Sequence, residues 1–258
     1  MSGYILFDAT AGNYVEAIVT DVDGEDQFDL RAEMRHDAVE DDRLFSESNG
    51  VLVLAIDAND YVRASAYDGT DRVFTSSAAP PETADWYQIR AVMDLTSNPL
   101  TCDFYTRVPG ADLSNNDDWV ALGAQQTIAT TFSGVTLFTN GAWSIGGRGG
   151  EWHGGVRQAY CLYGAGDTVF TDIDLRELTA GEIAAAEFVG DDGLTWSIAG
   201  AAWEYVNDSV VETVIRPISD TAGTGWDSAP VGSQDLYLQV DEAVTSDTDY
   251  IFTEDPNP

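Results

Sequence analysis

The segment Trp86-Tyr87-Gln88-Ile89-Arg90-Ala91-Val92-Met93-Asp94-Leu95 decides the fold of this chain. From Tyr87 onward, every second residue is apolar. A period of two is typical of a β-strand that buries one face and leaves the other polar. The segment therefore predicts a strand in an antiparallel sheet whose one face packs on a core.

The same period recurs on both sides of this segment. We predict further strands at residues 14–22, 28–35, 51–56, 61–67, 72–76, 102–108, 119–122, 134–138, 142–145, 155–163 and 169–175. Turn-forming stretches such as Asp68-Gly69 and Ser97-Asn98-Pro99 separate them. About twelve short strands at this spacing indicate a β-sandwich or a barrel.

One or two helical turns are predicted within the segment Leu178 to Val189. Thr179 and Glu182 have the spacing of a capping box, and an alanine-rich run follows them. No other segment has a clear helical period, so the sequence indicates an all-β protein with a single helical insertion.

The alternating pattern weakens after Val206, where the chain becomes rich in glycine and proline. We therefore expect two parts. The first is a β-sandwich over residues 1–206, and the second is a C-terminal extension or partial second β module over residues 207–258. We expect the second part to mediate contacts between subunits.

The charge of the chain excludes several classes of partner. The chain has 45 acidic residues and 11 basic ones, and its formal net charge is −34. All 11 basic residues are arginine. Such a surface repels phosphate, which nearly excludes nucleic-acid binding and disfavours attachment to anionic membranes. The absence of lysine also excludes a P-loop and Schiff-base catalysis.

The sequence predicts neither membrane insertion nor a disulfide framework. It has no apolar run of about 18 residues, and its first residues lack the pattern of a secretory signal. We therefore expect synthesis and assembly in a host cytoplasm. Cys102 and Cys161 are its only cysteines, and we expect two buried free thiols.

Metal binding is predicted at one place only. The chain has two histidines, His36 and His153, and they do not have the spacing of a zinc site. Asp21, Asp23 and Asp26 lie in a dense acidic stretch whose oxygen ligands suit calcium. The stretch is not an EF-hand, because its glycine falls at the fourth position. The alternative is a solvated acidic turn without metal.

The order of segments resembles a known family. The segments are Phe28-Asp29-Leu30-Arg31-Ala32, Tyr67-Asp68-Gly69, Trp86-Tyr87-Gln88-Ile89-Arg90, Trp119-Val120-Ala121-Leu122-Gly123 and Trp152-His153-Gly154-Gly155-Val156-Arg157. In this order they resemble the laminin-G-like, concanavalin A-like jelly-roll modules of tail proteins in tailed viruses. The resemblance implies an antiparallel jelly-roll β-sandwich followed by a C-terminal extension.

The resemblance also implies a function. It points to a non-enzymatic virion structural protein, a minor component of the tail or tail fibre that contributes to assembly and to adhesion on host-surface glycans. Expected partners are copies of the chain itself, as in a trimer, other virion proteins and a host glycan. A capsid decoration or head-fibre protein is the alternative within the same class.

Tryptophan residues in glycine-rich loops are the candidates for glycan stacking. Trp152 and Trp226 lie in such loops, and we expect them to be exposed. Trp86, Trp119 and Trp143 fall inside alternating strands, and we expect them in the core. Exposed tryptophans are equally typical of contacts between subunits.

A glycoside hydrolase is the second alternative. Some glycosidases with concanavalin-like sandwiches carry alternating carboxylates on one strand, and Asp172 and Asp174 have that spacing. Two carboxylates on one strand face lie about 6 to 7 Å apart at Cα, which suits a retaining mechanism. The flanking Thr171 and Arg176 depart from the expected Glu-x-Asp-x-Glu pattern.

The composition also predicts a setting. High genomic GC content favours arginine codons over lysine codons, which suits a virus of an actinobacterial or haloarchaeal host. A dense carboxylate surface is tolerated best where salt screens its self-repulsion. We therefore expect a halophilic environment.

Overall fold

The structure is a computed structural model that describes most of the first 207 residues and two short segments beyond them. The described ranges are 3–8, 13–19, 22–37, 42–47, 51–80, 86–136, 142–146, 152–165, 167–200, 203–207, 214–217 and 236–239. The chain forms two compact units, residues 1–207 and residues 208–258.

The described residues contain nineteen strands and one α-helix. In chain order they are β1 (Gly3–Asp8), β2 (Tyr14–Ile18), β3 (Gln27–His36), β4 (Asp42–Glu47), β5 (Leu52–Ile56), β6 (Val62–Tyr67), β7 (Asp71–Thr75), β8 (Tyr87–Asp94), β9 (Leu100–Arg107), β10 (Val120–Ala121), β11 (Gln126–Ile128), β12 (Ala142–Ile145), β13 (His153–Tyr163), β14 (Thr168–Asp174), α1 (Ala180–Ala185), β15 (Glu187–Val189), β16 (Thr195–Ala199), β17 (Trp203–Asn207), β18 (Val214–Pro217) and β19 (Leu236–Gln239).

Two antiparallel sheets form the first unit. Sheet A has the order β10-β9-β8-β3-β13-β1-β17, with β11 also paired to β9 and β14 also paired to β13. Sheet B has the order β15-β16-β2-β12-β4-β5-β6-β7. The predicted antiparallel, lectin-like jelly-roll sandwich is therefore confirmed. In the second unit, β18 and β19 form an antiparallel pair.

The core lies between the two sheets and follows the period of two in the sequence. On β8, Ile89 and Ala91 point inward, and they pair with Ala32 and Leu30 of β3. All four are fully buried. Each large apolar side chain buried in this way contributes about 1.5 to 3 kcal/mol.

A series of contacts between three polar side chains connects the two sheets through this core. His36 of β3 is fully buried, with Nδ1 2.6 Å from the hydroxyl of Tyr87 on β8. Its Nε2 lies 2.7 Å from Oδ1 of Asp60, in the turn between β5 and β6. Burial, and then the charge of Asp60, raises the pKa of Tyr87, so its hydroxyl stays neutral. Both ring nitrogens of His36 are therefore occupied by structural contacts.

The helix lies within the segment in which the sequence predicts one or two helical turns. The capping box between Thr179 and Glu182 is present, but α1 ends at Ala185. Ala186 adopts a left-handed conformation with φ of 52°, and the next residues form β15. The predicted one or two turns are therefore present, and the helix ends where the chain returns to sheet B to pair β15 with β16.

The strand prediction departs from the structure in places. In the first unit, the segments listed above leave out β1, β4, β11, β15, β16 and β17, since none of them has a long alternating stretch. Residues 134–136 form no strand, while residues 137 and 138 lie outside the described residues. Instead, the carbonyl of Val135 accepts from the N–H of Gly24 at 2.7 Å, and the N–H of Val135 donates to the carbonyl of Glu25 at 2.8 Å.

Both cysteines are buried free thiols, as predicted. Burial raises the pKa of each of them, which keeps them protonated and unreactive. Within the described ranges, none of the helical segments has the length and apolar character needed to cross a membrane.

Candidate functional site

The outer face of sheet A, opposite the core, is polar and nevertheless largely buried. On β3, Asp29, Arg31 and Glu33 are only 7%, 1% and 0% exposed. Five of the chain's 11 arginines lie on strands β3, β8, β9 and β13 of this sheet: Arg31, Arg35, Arg90, Arg107 and Arg157. Buried charges of this kind require partners, and a loop supplies many of them.

Residues 108–119, here named the covering loop, lie over this face. The guanidinium of Arg31 donates to the carbonyl of Leu113 at 2.6 Å and to the side chain of Asn116 at 2.7 Å. The carboxylate of Glu33 accepts from the backbone N–H of Gly110 at 2.9 Å. Because Arg31 and Glu33 are buried and can bond only to what covers them, the covering loop is held in a defined conformation.

Arg107, at the end of β9, also holds the covering loop. Its guanidinium donates to the carbonyls of Asp112, Asn115 and Asp117 at 3.0 to 3.2 Å. It also stacks on Trp119 at 4.3 Å from the ring centroid. The position of Asp112 is thereby set by a side chain of β9.

A cleft of about 80 Å³ opens where the covering loop meets β13 and β14. Its polar lining comes from three segments. Gln158, Tyr160, Asp172 and Asp174 come from the two strands, Asp112 comes from the covering loop, and Asp191 comes from the turn after β15.

Strand pairing brings the four strand residues of the cleft together. Tyr160 pairs directly with Asp172, and Gln158 pairs with Asp174. Ala159 and Ile173, between them, point into the core. Side chains on one face of adjacent strands have Cβ atoms about 4.5 to 5.5 Å apart, so these four form one compact patch.

The turn that carries Asp191 is attached to β14 by hydrogen bonds. The backbone N–H of Asp191 donates to the carbonyl of Asp172 at 2.8 Å. In return, the N–H of Asp172 donates to the side chain of Asp192 at 3.0 Å. These bonds bring acidic residues from distant parts of the sequence beside one another.

The environments of the two aspartates on β14 differ strongly. Burial, followed by the charges of Asp191 and Asp112, raises the pKa of Asp172 from 3.8 to about 6. Burial also acts on Asp174, but hydrogen bonds from Arg176 outweigh it and lower the pKa of Asp174. Among the described residues, none donates a hydrogen bond to the Asp172 carboxylate.

A second acceptor in the cleft is also without a partner. Gln158 is 6% exposed, and its Nε2 donates to Asp174 at 3.2 Å. Its Oε1 is buried and accepts no hydrogen bond within the described part of the chain. A buried acceptor of this kind has a free-energy cost unless a ligand or water supplies a donor. Because this Oε1 is inaccessible to solvent, the acceptor that the cleft presents is the carboxylate of Asp172.

The hydrogen bonds of Asp174 make it unsuited to glycosidase catalysis together with Asp172. Both oxygens of Asp174 accept hydrogen bonds from Arg176, and Oδ2 also accepts one from Gln158. A carboxylate bound in this way is a poor nucleophile, because its charge is already neutralised. The two aspartates lie on one strand face, but Asp174 is not a free nucleophile.

Trp152 does not lie where the sequence analysis expected it. It is fully buried in the core, with its ring centroid 6.5 Å from that of His36. The prediction that it is an exposed glycan contact was wrong, because the ring packs in the core beside His36. Trp226, the other candidate, lies outside the described residues.

Two of the strand tryptophans expected in the core lie on the outer face of sheet A. Trp143 is buried as predicted. Trp86 and Trp119 are half-buried and stack on arginines, with Arg157 3.8 Å from the centre of the Trp86 ring. Gly155 allows the close approach of Trp86, since a Cβ there would lie 2.7 Å from its ring.

The predicted calcium stretch is described only in part. Asp21 lies outside the described residues, Asp23 is exposed in a turn, and Asp26 is half-buried. The carbonyl of Asp26 accepts from the N–H of Leu95 at 2.9 Å. Among the described residues, no three acidic, histidine or cysteine side chains are placed to hold a metal ion. A calcium site that includes Asp21 stays a prediction.

Replacing Asp172 with asparagine is expected to stabilise the fold above pH 6. Because the pKa of Asp172 is raised on folding, its ionisation disfavours the folded state. This penalty is absent below about pH 4, grows up to about pH 6 and is constant above it. At pH 7 the variant should gain on the order of 1 kcal/mol, since solvent screens part of the effect.

Urea denaturation of both proteins across this pH range measures the effect. The two unfolding midpoints should coincide near pH 4 and separate as the pH rises. Asp71→Asn, which removes the same charge from an exposed position on β7, serves as the control. If both variants gained the same stability, the effect would come from the change in net charge, and the prediction would be contradicted.

Comparison with known proteins identifies the fold only. No model of a known protein family matches the chain, and no curated protein matches its sequence. A protein from Bacteroides ovatus ATCC 8483 named for carbohydrate binding aligns with 81% of this chain and 61% of its own length. Its sequence identity is 14% and its TM-score is 0.52.

Two further structures have lower TM-scores. A heptameric SAP-like pentraxin from Limulus polyphemus aligns with 76% of this chain and 95% of its own, at 13% identity and a TM-score of 0.45. Domains LG4-5 of the mouse laminin alpha1 chain align with 66% of this chain and 44% of their own, at 14% identity and a TM-score of 0.42. Identities this low concern the fold and not the function.

Proposed function

We propose that this chain is a non-enzymatic carbohydrate-binding module and that the cleft between the covering loop and the strand pair β13/β14 is its binding site. The observation that carries the proposal is the half-buried carboxylate of Asp172 in that cleft, to which no described residue donates a hydrogen bond. Sugars present many hydroxyl donors at fixed angles, which suits such an acceptor.

Hydroxyl groups at the edge of the cleft complete its chemistry. Burial raises the pKa of Tyr160, so its hydroxyl stays protonated and can donate to a sugar oxygen. Ser114 of the covering loop supplies a second hydroxyl. The ring of Tyr160 is oriented by Arg31, whose guanidinium lies 5.3 Å from the ring centroid. The site thus combines fixed acceptors with two groups that can donate or accept.

Binding to an array of polysaccharides, followed by affinity measurements on the strongest ligand, tests this function. Asp172→Asn is expected to weaken binding at least tenfold, because an amide replaces one acceptor by a donor. Asp71→Asn should bind like the unmodified protein. An array without any bound ligand, or equal affinities for the two variants, would contradict the proposal.

We further propose that the module belongs to the tail or tail fibre of a virus particle, where it contributes to assembly and host adhesion. The order of sequence segments and the lysine-free, strongly acidic composition support this setting. Self-association into a symmetric oligomer belongs to the same proposal. Electron microscopy of particles labelled with an antibody to this chain tests it. Label on the tail supports the assignment, and label on the capsid surface would replace it by a decoration role.

A further inference from the structure

Strand pairing places two tyrosines and two arginines in a straight row across the outer face of sheet A. Tyr105 of β9 pairs with Arg90 of β8, which pairs with Arg31 of β3. Arg31 pairs in turn with Tyr160 of β13, and Tyr160 pairs with Asp172 in the cleft. Directly paired residues lie on the same face of a sheet. Adjacent strands are about 4.8 Å apart, so the Cα atoms of the two tyrosines lie about 14 Å apart.

The row extends the binding surface beyond the cleft. Building on the proposed function, we propose that the ligand is a neutral polysaccharide bound along its chain, which lies across the covering loop from the cleft to Tyr105. Tyr160 and Tyr105 contact the chain on the two sides of the loop, and Asn116 contacts it from the loop itself. A single terminal sugar would use only the cleft end of this surface.

Arginines hold both tyrosines in place. The guanidinium of Arg90 lies 5.5 Å from the ring centroid of Tyr105. That of Arg31 lies 5.3 Å from the ring centroid of Tyr160. Both arginines are fixed by hydrogen bonds to Asp29. The two rings are half-buried, and among the described residues neither hydroxyl makes a hydrogen bond. Each tyrosine therefore presents an oriented ring and an uncommitted hydroxyl, which suits the apolar C–H and polar O–H groups of a sugar.

Trp119 enlarges the aromatic surface at the Tyr105 end of the row. Its half-buried ring lies with its centroid 5.9 Å from the guanidinium carbon of Arg90 and 4.3 Å from that of Arg107. Its Nε1 donates to the carbonyl of Asn115 at 3.2 Å. The contacts fix this ring as well, so little conformational entropy is lost when a sugar packs on it.

Asn116 supplies a polar contact between the two tyrosines. Its Oδ1 accepts from the guanidinium of Arg31 at 2.7 Å. Because a guanidinium only donates, this contact distinguishes the two ends of the amide and leaves Nδ2 as the other end. Asn116 is exposed, and its Nδ2 has no acceptor within the described part of the chain. The covering loop therefore presents one fixed donor near the middle of the row.

The charges along the row favour a neutral chain over an acidic one. Arg31 and Arg90 share the carboxylate of Asp29, and Arg31 is only 1% exposed. Neither arginine is therefore free to pair with a carboxylate or sulfate of a ligand. The covering loop adds three exposed carboxylates, those of Asp112, Asp117 and Asp118. These carboxylates and the net charge of −34 repel an acidic polysaccharide.

Calorimetry with neutral oligosaccharides of two lengths tests the inference. The probes are the disaccharides and hexasaccharides of β-1,4-glucan, β-1,3-glucan, α-1,4-glucan and β-1,4-mannan. A disaccharide fills only the cleft end of the row, whereas a hexasaccharide also reaches over the covering loop. For the glycan that binds, we expect the hexasaccharide to bind about tenfold more tightly than the disaccharide, or more, because it gains contacts on the same rigid surface.

Two substitutions remove contacts outside the cleft. Tyr105→Ala should weaken hexasaccharide binding about tenfold and leave disaccharide binding unchanged. Asn116→Asp retains the oxygen that Arg31 binds but replaces the donor by an acceptor, so it should weaken hexasaccharide binding while the covering loop stays in place. Tyr61→Ala, at a half-buried tyrosine between β5 and β6, is the control and should bind both lengths normally. Unfolding midpoints in urea show whether each variant is folded.

The outcomes separate this inference from the function on which it rests. Equal affinities for the two lengths, or a hexasaccharide affinity that neither folded variant reduces, overturns the extended chain and leaves carbohydrate binding at the cleft standing. Tighter binding of a galacturonic acid hexasaccharide than of every neutral one overturns the neutral chain. Absence of binding to all the neutral probes overturns this inference, and the polysaccharide array then decides separately whether carbohydrate binding itself fails.

Discussion

Leucine in place of Arg31 is expected to lower the free energy of unfolding by about 3 to 5 kcal/mol, the usual effect of removing one partner from a buried ion pair. Arg31 is 1% exposed and makes hydrogen bonds to both oxygens of Asp29. Its loss leaves the carboxylate of Asp29 with Arg90 as its remaining cation. It also leaves the carbonyl of Leu113 without its donor.

Urea denaturation followed by tryptophan fluorescence measures this effect. Arg43→Leu is the matched control, because Arg43 is a half-buried arginine of β4 that makes no ion pair within the described residues. Hydrogen exchange of the amides in residues 110–117 adds a local readout, since the covering loop should lose protection before the sheets do. Equal midpoints for the two variants would show that the Arg31 network contributes nothing to stability.

Alanine in place of Trp152 is expected to lower the free energy of unfolding by about 3 to 5 kcal/mol, as for other buried aromatic side chains. The ring is fully buried, and the backbone N–H of Trp152 donates to the carbonyl of Gly146 at 3.2 Å. Removing the ring would leave a cavity beside His36, which the rigid strands around it cannot close.

A comparison of stability and affinity distinguishes this role from the glycan contact that the sequence suggested. Trp152→Phe should recover most of the lost stability, because phenylalanine fills much of the same space. Both variants should bind saccharide normally under conditions in which they are folded. A loss of affinity in Trp152→Phe without a loss of stability would restore Trp152 as a ligand contact.

The fold was largely predictable because strand formation depends on a local pattern. In β8 the alternation appears in the structure as alternating burial from Ile89 to Asp94, while Gln88 is buried on the outer face of sheet A. The exceptions have local causes too. β11 is only three residues long, and α1 gives way to β15 where pairing with β16 outweighs helix propensity.

The candidate site was much less predictable. Asp172 and Asp174 were recognised as a pair on one strand face, and the structure confirms that placement. Their different environments were not foreseeable, because they depend on Arg176 for one and on Asp112 and Asp191 for the other. The sequence gives no local sign that Gln158 is left with an unused acceptor.

The amino-acid sequence by itself determined the all-β class, the acidic surface and the exclusion of nucleic acid, P-loop and Schiff-base chemistry. These follow from composition and from side-chain alternation, which are properties of neighbouring residues. The tertiary structure alone decided which tryptophans are buried and where the acidic cleft lies. Burial and proximity depend on contacts between segments far apart in the chain, as when β3 and β9 hold the covering loop over β13 and β14.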